Sequence, residues 1–209
     1  MPVPRGRPPA RTRPQVVAAA IAVADAEGLD ALTMRRLAAE LGAGPMSLYT
    51  YVRDKEELVD LMVDQVSEFD PAEGEPDLLR LLVWQRDLML RHPWLPAALP
   101  NRRLDGPHML GHLERGLAAL EPTGLPGAVK LEILALLTGF VAGYVSNELA
   151  QARAGVTDSE RVQQHVAALQ EAVASGAYPR LAAVLAEGGP VRPPAFEDVA
   201  RRMIAGLVG

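Results

Sequence analysis

The sequence predicts an all-α protein, and three observations support that class. Ala, Leu and Val account for most of the apolar 49% of the 209 residues, whereas aromatic residues reach only 4%, a composition that favours helix. Apolar side chains recur at helical spacing, and no alternating strand pattern is present in the sequence. Gly and Pro fall at the ends of the periodic segments. The length suffices for one or two domains with a sizeable core.

The N-terminal segment is predicted to be a disordered basic arm followed by a first helix. Residues 1–14 hold four Arg and five Pro and show no periodicity. Residues 15–27 then carry an apolar stripe at helical spacing, formed by Val17, Ala20, Ile21 and Ala24. Gly28 ends this helix.

Two short helices are predicted next, joined by a glycine-containing turn. Thr33 is a natural N-cap for the second helix, which ends at Gly42 and buries Leu37 and Leu41. Pro45 suits the first turn of a third helix, which is expected to run to about Tyr51. Two short helices with such a turn form a helix-turn-helix pattern.

A fourth helix and a break complete the N-terminal part. Asp54 and Glu57 have the spacing of a capping box, and the helix that they open has an apolar face of Leu58, Leu61, Met62 and Val66. Residues 69–77 form a Pro, Gly and acidic break that predicts a domain boundary. The sequence therefore predicts one domain over residues 15–68 and a second over residues 76–209.

The second predicted domain is a bundle of longer helices. They are expected over residues 78–91, 108–121, 126–154, 158–175 and 195–208. His92 precedes a Pro, which ends the first of them, and residues 95–107 are predicted to be irregular. Residues 188–194 are predicted to be a loop.

Charge is distributed unevenly between the two parts. The net charge of −5 alone argues against a nucleic-acid binder. Residues 1–55, however, hold eight basic and five acidic residues, a net of +3, and the remainder carries −8. The N-terminal region is therefore basic and the remainder is acidic, a charge asymmetry that is typical of a nucleic-acid-binding segment attached to an acidic domain.

Composition also limits the compartment. There is no Cys, which excludes disulfides, thiolate metal sites and a cysteine nucleophile and agrees with a reducing cytoplasm. The longest apolar run, residues 133–146, has 14 residues, fewer than the roughly 20 that a membrane span needs. We therefore expect a cytoplasmic protein with no membrane partner.

The third helix carries an unusual set of side chains. Leu48 and Val52 lie four residues apart and supply its buried side. Met46, Ser47, Tyr49, Thr50 and Tyr51 are then expected to lie off the core, where they favour contact with a DNA major groove. The alternative is a small helical core with tyrosines whose hydroxyls reach water.

Residues 15–63 resemble the DNA-binding domain of the tetracycline-repressor (TetR) family. The resemblance is carried by the small and apolar stripe of 18–28, by Thr33-Met-Arg-Arg-Leu-Ala38, and by Leu41-Gly42, Leu48-Tyr49, Tyr51-Val52, Lys55 and Leu58. It covers about a quarter of the chain. It implies a homodimeric transcriptional repressor that a small ligand, bound in the helical C-terminal domain, releases from an inverted-repeat operator in double-stranded DNA.

The resemblance also implies site residues. Thr33 would cap helix two, Arg35 or Arg36 would reach phosphate or a base edge, and Lys55 would bind a phosphate. Ala43, Gly44, Pro45, Met46 and Thr50 would face the groove, and Tyr49 and Tyr51 would contact phosphate and base methyls. Ser47 is included among the expected DNA-binding residues.

The start of the third helix departs from the family pattern. Gly44, Pro45 and Met46 stand where amide or charged side chains can occur, so direct hydrogen bonds to bases are few. Specificity is then expected from apolar contacts, from Arg in the grooves and from DNA shape. Arg5, Arg7, Arg11 and Arg13 of the arm either enter a minor groove or form a solubilising tail.

The long predicted helix has features of an interface. Gly139 and Gly143 lie four residues apart inside it, and each costs about 1 kcal/mol relative to Ala. Close approach of the backbone to a symmetry-related helix or to a ligand would offset this cost. We expect a four-helix dimer interface built from this helix and one near the C-terminal end, over residues 158–175 or 195–208. The candidate residues are Leu131, Leu134, Gly139, Gly143, Val166 and Leu169.

Large, soft or singly polar side chains on the surrounding helices predict a ligand pocket. The candidates are Trp84, Leu88, His92, Trp94, His108, Met109, His112, Phe140, Tyr144 and Asn147, with core packing as the alternative for each. His108 and His112 have metal-ligand spacing but no acidic residue between them, so no metal and no cofactor is predicted, although a ligand could carry a metal in.

Two alternatives to a ligand-responsive repressor are an all-α enzyme and a DNA-binding protein without sequence preference. An all-α enzyme is disfavoured because no Gly-rich phosphate loop, nucleophile elbow or sequence-adjacent metal triad occurs in the sequence. A DNA-binding protein without sequence preference is disfavoured because such binding depends on positive charge and the body is acidic. Activation, and response to a protein partner, stay open.

Overall fold

A computed structural model of the chain describes residues 11–68, 76–100, 102, 105–153, 158–187 and 195–209. Within these residues every regular element is helical, which confirms the all-α prediction. The α-helices, numbered in chain order, are α1 (Arg13–Glu27), α2 (Met34–Glu40), α3 (Pro45–Leu48), α4 (Lys55–Val66), α5 (Leu78–Arg91), α6 (Leu95–Ala98), α7 (Pro107–Ala119), α8 (Gly127–Arg153), α9 (Asp158–Ala174), α10 (Pro179–Ala186) and α11 (Phe196–Val208).

Helix α1 begins before the predicted position. Thr12 accepts a hydrogen bond from the backbone of Gln15, whose side chain accepts one from the backbone of Thr12, and this capping box places the first turn at Arg13. The prediction that the arm extends to residue 14 is therefore wrong at its C-terminal end, and residues 1–10 lie outside the described residues.

Helix α3 is shorter than predicted. It spans four residues, and the chain continues to Tyr51 in turns held by backbone bonds from Thr50 to Ser47 and from Tyr51 to Leu48. These i→i+3 bonds tighten the backbone and end the regular α-helix.

Two further helices were absent from the sequence prediction. Residues 95–107 were expected to be irregular, but α6 occupies residues 95–98, with Pro96 near its start, where a missing amide hydrogen costs nothing. Helix α10 similarly starts at Pro179. The predicted boundary falls largely in residues 69–75, and both that segment and the predicted loop 188–194 lie outside the described residues.

The core is continuous from helices α1–α4 into the body, which is the C-terminal region formed by helices α5–α11. Helices α1, α2 and α4 enclose Leu32, Leu37, Leu48 and Met62, which are almost fully buried. In the body, α5, α7 and α11 pack against α8, and α6 contacts both α4 and α8. Helices α9 and α10 contact each other, and no residue whose burial is described on them is buried.

Helix α8 is the longest helix described, at 27 residues. Among the described helices it alone is long and apolar enough to cross a membrane by length and composition, because the helix extends well beyond the 14-residue apolar run at its centre. One of its faces forms core, through Ile133, Leu134, Leu137, Val141 and Val145. The core helix of a soluble protein meets the same criterion.

Candidate DNA-binding surface and ligand cavity

The helix-turn-helix is held by a cap and a glycine turn. The Thr33 hydroxyl accepts a 3.0 Å hydrogen bond from the Arg36 amide, as predicted for an N-cap. Gly42 follows α2 with φ of +58°, a backbone conformation that L-residues rarely adopt. Leu48 and Val52 are buried beneath the turn, so the outer side of α3 faces solvent.

The exposed side of α3 carries most of the predicted groove-facing residues. Met46 is 78% exposed and Tyr49 is 46% exposed. Gly44, Pro45, Ser47 and Thr50 are also exposed, while Ala43 is half-buried. No charged side chain occurs between Ala43 and Val52, so this surface offers apolar contacts and hydroxyls.

The Ser47 and Thr50 hydroxyls of this surface are already used as donors. Ser47 Oγ donates to the Gly44 carbonyl at 2.6 Å, and Thr50 Oγ1 donates to the Ser47 carbonyl at 2.7 Å. Each oxygen keeps lone pairs with which it accepts hydrogen bonds.

Tyr51 differs from its neighbour Tyr49. It is half-buried and packs against the core of α1, α2 and α4, so the expectation that it lies off the core is wrong. Both tyrosines lie beyond the last residue of α3, Leu48, and Tyr49 remains exposed. Tyr49 is therefore the tyrosine of the exposed surface.

Arg35 and Arg36 have different surroundings. The Arg36 guanidinium contacts the carboxylates of Glu27, at 2.6 Å, and Glu40, at 2.8 Å. Its hydrogen bonds lower the pKa of Glu27. Arg35 is exposed beside the N-terminus of α2, and the structure records no partner for it among the described residues. Arg35 is thus the one with an unoccupied guanidinium.

Lys55 connects two parts of the N-terminal domain. Its Nζ donates to the Leu29 carbonyl at 3.2 Å, in the turn after α1. Glu57, an acidic residue in the first turn of α4, accepts a hydrogen bond from the Arg53 backbone at 2.6 Å, and this bond lowers its pKa. The Asp54 cap is present, with a 2.8 Å bond from the Glu57 amide, so the cap but not the reciprocal bond of the predicted box is formed.

The described end of the arm lies against the protein. Arg11 donates to the Leu41 carbonyl, and Arg13 pairs with Glu57 at 2.5 Å. These two guanidiniums have protein partners, whereas Arg5 and Arg7 lie outside the described residues.

The body contains a cavity of about 420 Å³. Helices α5, α6, α7 and α8 form its walls. Its apolar lining includes Leu81, Leu82, Leu88, Met89, Leu95, Leu99, Met109, Leu113, Leu131, Leu134 and Leu137. Such a volume lies within the range of ligand pockets, about 300–1,000 Å³.

Four of the predicted pocket residues line this cavity, namely Trp84, Leu88, Met109 and His112. The other six lie elsewhere, because each is engaged with another element or faces outward. They are His92, Trp94, His108, Phe140, Tyr144 and Asn147.

His92 and Trp94 belong to the junction between the two parts of the molecule. His92 Nδ1 lies 2.8 Å from Asp25 Oδ1, and Trp94 Nε1 donates to the same oxygen at 2.7 Å. Asp25 lies on α1, so one carboxylate oxygen joins the N-terminal helices to the α5–α6 corner. Trp94 is buried there and does not reach the cavity.

Phe140 and Tyr144 belong to an aromatic cluster that seats α11. Phe140 stacks on Phe196 with ring centroids 5.8 Å apart, and Tyr144 meets Phe196 edge-on at 5.1 Å. The Arg86 guanidinium lies 5.4 Å from the Phe196 ring centre and pairs with Glu148. Burial raises the pKa of Tyr144.

His108 and Asn147 also lie outside the cavity lining. The His108 amide donates to Asp64 Oδ1 at 3.0 Å in the first turn of α7. Asn147 is exposed on the outer face of α8. In the part of the chain that the structure describes, no group of three or more His, Cys, Asp or Glu is placed to hold a metal ion.

A polar cluster of Gln85, His112 and Thr138 interrupts the apolar wall. Gln85 Nε2 lies 2.7 Å from His112 Nε2 and 3.2 Å from Thr138 Oγ1. Burial lowers the pKa of His112 to about 4, so its ring is neutral at physiological pH. Sequence reasoning missed Gln85 and Thr138, although each is an uncharged polar residue among apolar neighbours at helical spacing.

Helix α4 is bonded to the elements that form one end of the cavity. Asp64 Oδ1 accepts from the amides of His108 and Met109 at 3.0 Å, and Met109 lines the cavity. Arg102 contacts Asp60 at 3.3 Å and Glu56 at 2.7 Å. The cavity wall and the helix that follows the helix-turn-helix therefore share direct hydrogen bonds.

The predicted interface residues of α8 lie on two faces. Leu131, Gly139 and Gly143 are exposed, and a Cβ on either glycine would meet no atom of this chain within 4 Å. Leu134 is buried against Gly116, so it does not share the exposed face of the other three residues of α8. Val166 and Leu169 are half-buried on α9.

Two family models match the chain and together cover nearly all of it. Residues 16–62 match the model described as bacterial regulatory proteins of the tetR family. Residues 72–208 match the model described as the tetracyclin repressor-like C-terminal domain.

Curated relatives and solved structures agree with these matches. The HTH-type transcriptional repressor DrrR1 of Streptomyces coeruleorubidus is 39% identical over 193 residues, covering 86% of this chain and 71% of the relative. ActR of Streptomyces coelicolor, solved in complex with actinorhodin, is 31% identical with a TM-score of 0.77, covering 95% and 97% of the two chains. BioQ, solved with its double-stranded DNA operator and known from Mycobacterium smegmatis, is 26% identical with a TM-score of 0.56, covering 70% and 93%.

Proposed function

The chain belongs to the TetR family of bacterial transcriptional regulators, and on that basis we propose that it is a homodimeric repressor released from an inverted-repeat operator by a small, mostly apolar ligand. The observation that carries the proposal is the bonded path from the cavity to the helix-turn-helix. Met109 lines the cavity, its amide is held by Asp64 of α4, and α4 packs on α1.

The proposed DNA contacts follow from exposure. Met46 and Tyr49 supply apolar surface for thymine methyls and sugars, and the Ser47 and Thr50 oxygens accept hydrogen bonds from base amino groups. Arg35 supplies a phosphate contact beside the N-terminus of α2. With so few donors on α3, DNA shape contributes to specificity. BioQ, a structural neighbour, has been solved on its operator.

Thr33 and Lys55 have a supporting role in this proposal. Thr33 fixes the start of α2 through its cap, and Lys55 ties α4 to the turn after α1. The Lys55 ammonium has three donors, so one bond to Leu29 leaves others for a phosphate. Tyr51 is proposed to act through packing, because it is partly buried against the core.

The ligand proposal depends on the cavity. Its walls are leucine-rich, its volume of about 420 Å³ suits a small molecule, and the structural neighbour ActR has been solved with actinorhodin. Occupying the cavity would displace Met109 and α7 relative to α4. Because α4 carries Asp64 and Asp60, such a movement would reach the helix-turn-helix.

The dimer proposal depends on the exposed face of α8. Leu131, Ala135, Leu136, Gly139 and Gly143 form an exposed apolar stripe there, and Leu131, Ala135 and Gly139 of this stripe also line the cavity, so the proposed interface adjoins it. A symmetry-related copy of the same stripe would bury it and would offset the glycine cost by close backbone approach. A two-fold dimer also matches the symmetry of an inverted repeat.

Two coarser assignments accompany the proposal. Membership of a family of transcriptional regulators supports a non-enzymatic role, and the proposed binding to a DNA operator supports action in the cytoplasm. The acidic remainder of the chain, with a net of −8 over residues 56–209, disfavours binding by charge alone.

The proposal is tested by selecting bound duplexes from a random DNA pool with the purified protein at near-physiological salt. We expect enrichment of one inverted repeat, with half-sites spaced by about one helical turn or a multiple of it. No enrichment, with binding that disappears as salt rises, would instead identify a low-specificity, architectural DNA binder.

A further inference from the structure

The cavity wall is polar at one place, where three helices meet. Gln85 comes from α5, His112 from α7 and Thr138 from α8. Gln85 is only 7% exposed, and its amide contacts both other side chains, at 2.7 Å and 3.2 Å. This Gln85–His112–Thr138 cluster joins α5, α7 and α8, three of the four helices that form the walls of the cavity.

Two buried atoms of this cluster have no hydrogen-bond partner among the described protein groups. They are Gln85 Oε1 and His112 Nδ1. Leaving a buried polar atom unpaired costs about 1–3 kcal/mol, so such atoms usually have a partner.

The donor and acceptor groups of Gln and of neutral His determine which hydrogen-bond partners the two atoms lack. If the Gln85 amide donates to His112 Nε2, the proton of the neutral ring is on Nδ1, which leaves a free donor there and a free acceptor at Oε1. If the amide is turned, its oxygen accepts from Nε2–H, which leaves a free acceptor at Nδ1 and a free donor on the amide nitrogen. Both arrangements leave one donor and one acceptor.

The described residues that line the rest of the cavity provide no charged side chain that could pair with an ionised ligand. Among these described lining residues, the polar groups outside the cluster are the Trp84 indole N–H and Ser67, whose hydroxyl already donates to the Val63 carbonyl at 2.7 Å. An ionised ligand would enter this cavity without a counter-ion, which is costly in an apolar site. A neutral His112 supplies none either, because burial lowers its pKa to about 4.

We infer that the cavity selects a neutral, largely apolar ligand whose hydroxyl group donates to one free atom of the Gln85–His112–Thr138 cluster and accepts from the other. A hydroxyl fits because it is both donor and acceptor. The inference rests on the proposed function, whose ligand site it specifies. It distinguishes hydroxylated polycycles from hydrocarbons and from carboxylates of the same size.

The test uses a matched series of tricyclic probes and the full chain without DNA. Isothermal titration calorimetry at pH 7.5 would compare 9-phenanthrol with 9-methylphenanthrene, 9-methoxyphenanthrene and phenanthrene-9-carboxylate. The phenol is expected to bind at least about tenfold more tightly than the methyl and methoxy compounds, since these leave a polar atom unpaired. The carboxylate is expected to bind most weakly.

Variants localise the effect. Gln85→Leu should reduce phenanthrol affinity about tenfold or more while leaving the methyl compound unchanged or tighter. Thr138→Val, a smaller change, should reduce phenanthrol affinity by less, because it removes one bond that orients the amide. Leu88→Ala, at an apolar lining residue, should weaken the phenol and the methyl compound equally.

Several outcomes would overturn the inference. They are equal affinities for phenol and methyl probes, an equal loss of both in Gln85→Leu, or no binding of any neutral probe. A hydroxyl preference without any effect of the probe on operator binding would leave the inference standing and would count against the proposed function. Specific operator binding without a hydroxyl preference among the probes would overturn the inference and would leave the proposed function standing.

Discussion

The helix-turn-helix carries its candidate functional side chains on its outer surface, whereas the helical body carries them inside, in the cavity wall. Around α3 the core is uniformly apolar and the informative side chains, Met46 and Tyr49, face outward. In the body the informative side chains, Gln85 and His112, face inward, and the outer face of α8 is apolar. The candidate functional residues are therefore the exposed ones in the helix-turn-helix, and the buried polar ones among apolar neighbours in the body.

The largest expected effect is at the exposed surface of α3. Met46→Glu should lower affinity for the selected operator by about 100-fold or more, because a carboxylate would face phosphates and lose apolar contact. The free energy of unfolding should stay unchanged, since Met46 is 78% exposed.

A matched control for this variant is Val184→Glu, at a 63% exposed residue of α10. Fluorescence anisotropy with the selected duplex measures both. Equal losses in the two variants would show that general charge, rather than the α3 surface, governs binding.

The second effect is at the junction between the two regions. Asp25→Ala removes the acceptor shared by His92 and Trp94, and leaves the buried indole N–H unpaired. We expect the free energy of unfolding to fall by about 1–3 kcal/mol and ligand-induced operator release to weaken. Urea denaturation and anisotropy measure the two quantities.

Asp30→Asn, in the exposed turn after α1, serves as the control and should change neither quantity. An Asp25→Ala protein with unchanged ligand response would show that the junction stabilises the molecule without coupling its regions.

The third effect sharpens the account of the body through pH. Burial lowers the pKa of His112 to about 4, so the unfolded chain, with a histidine pKa near 6.5, binds the extra proton first as pH falls. Its contribution to stability is therefore present above pH 6.5 and is lost progressively towards pH 4. Between pH 7 and pH 5 this loss is about 1–2 kcal/mol.

Urea denaturation of wild type and His112→Leu at both pH values, at one protein concentration, isolates this contribution. The variant should lose less stability on acidification. Identical pH dependence in the two proteins would mean that His112 titrates normally and is not held neutral in the cavity wall.

The smallest effect compares two glycines of α7. A Cβ at residue 116 would lie 2.7 Å from Leu134 Cδ2, whereas one at residue 111 would meet nothing within 4 Å. Gly116→Ala should destabilise the protein by about 1 kcal/mol, and Gly111→Ala should stabilise it by up to about 1 kcal/mol through helix propensity. Midpoints of urea denaturation measure both, and equal signs would contradict the packing of α7 on α8.

Local signals allowed most of the N-terminal region to be predicted. The Thr33 cap, the Gly28 and Gly42 helix ends, and the buried pair Leu48 and Val52 all follow from residue type and spacing. Tyr51 was misplaced because the end of α3 depends on tight turn bonds that helical periodicity does not register.

The cavity was harder to predict because it depends on which helices meet. His92 and Trp94 were plausible pocket residues, but their partner, Asp25, lies 67 and 69 residues away in the chain. Phe140 and Tyr144 were likewise assigned to a ligand, and Phe196 packs against them instead. Gln85 was predictable in principle, as the polar residue on the apolar face of α5.

The measurement that tests the central claim most directly is the linkage between cavity and operator. Anisotropy with the selected duplex would be recorded with and without saturating 9-phenanthrol, and calorimetry would measure phenanthrol affinity with and without saturating duplex. The account predicts that each lowers the affinity for the other by the same factor, about 5- to 150-fold. Tight binding of both, with neither affinity changed by the other, would contradict it.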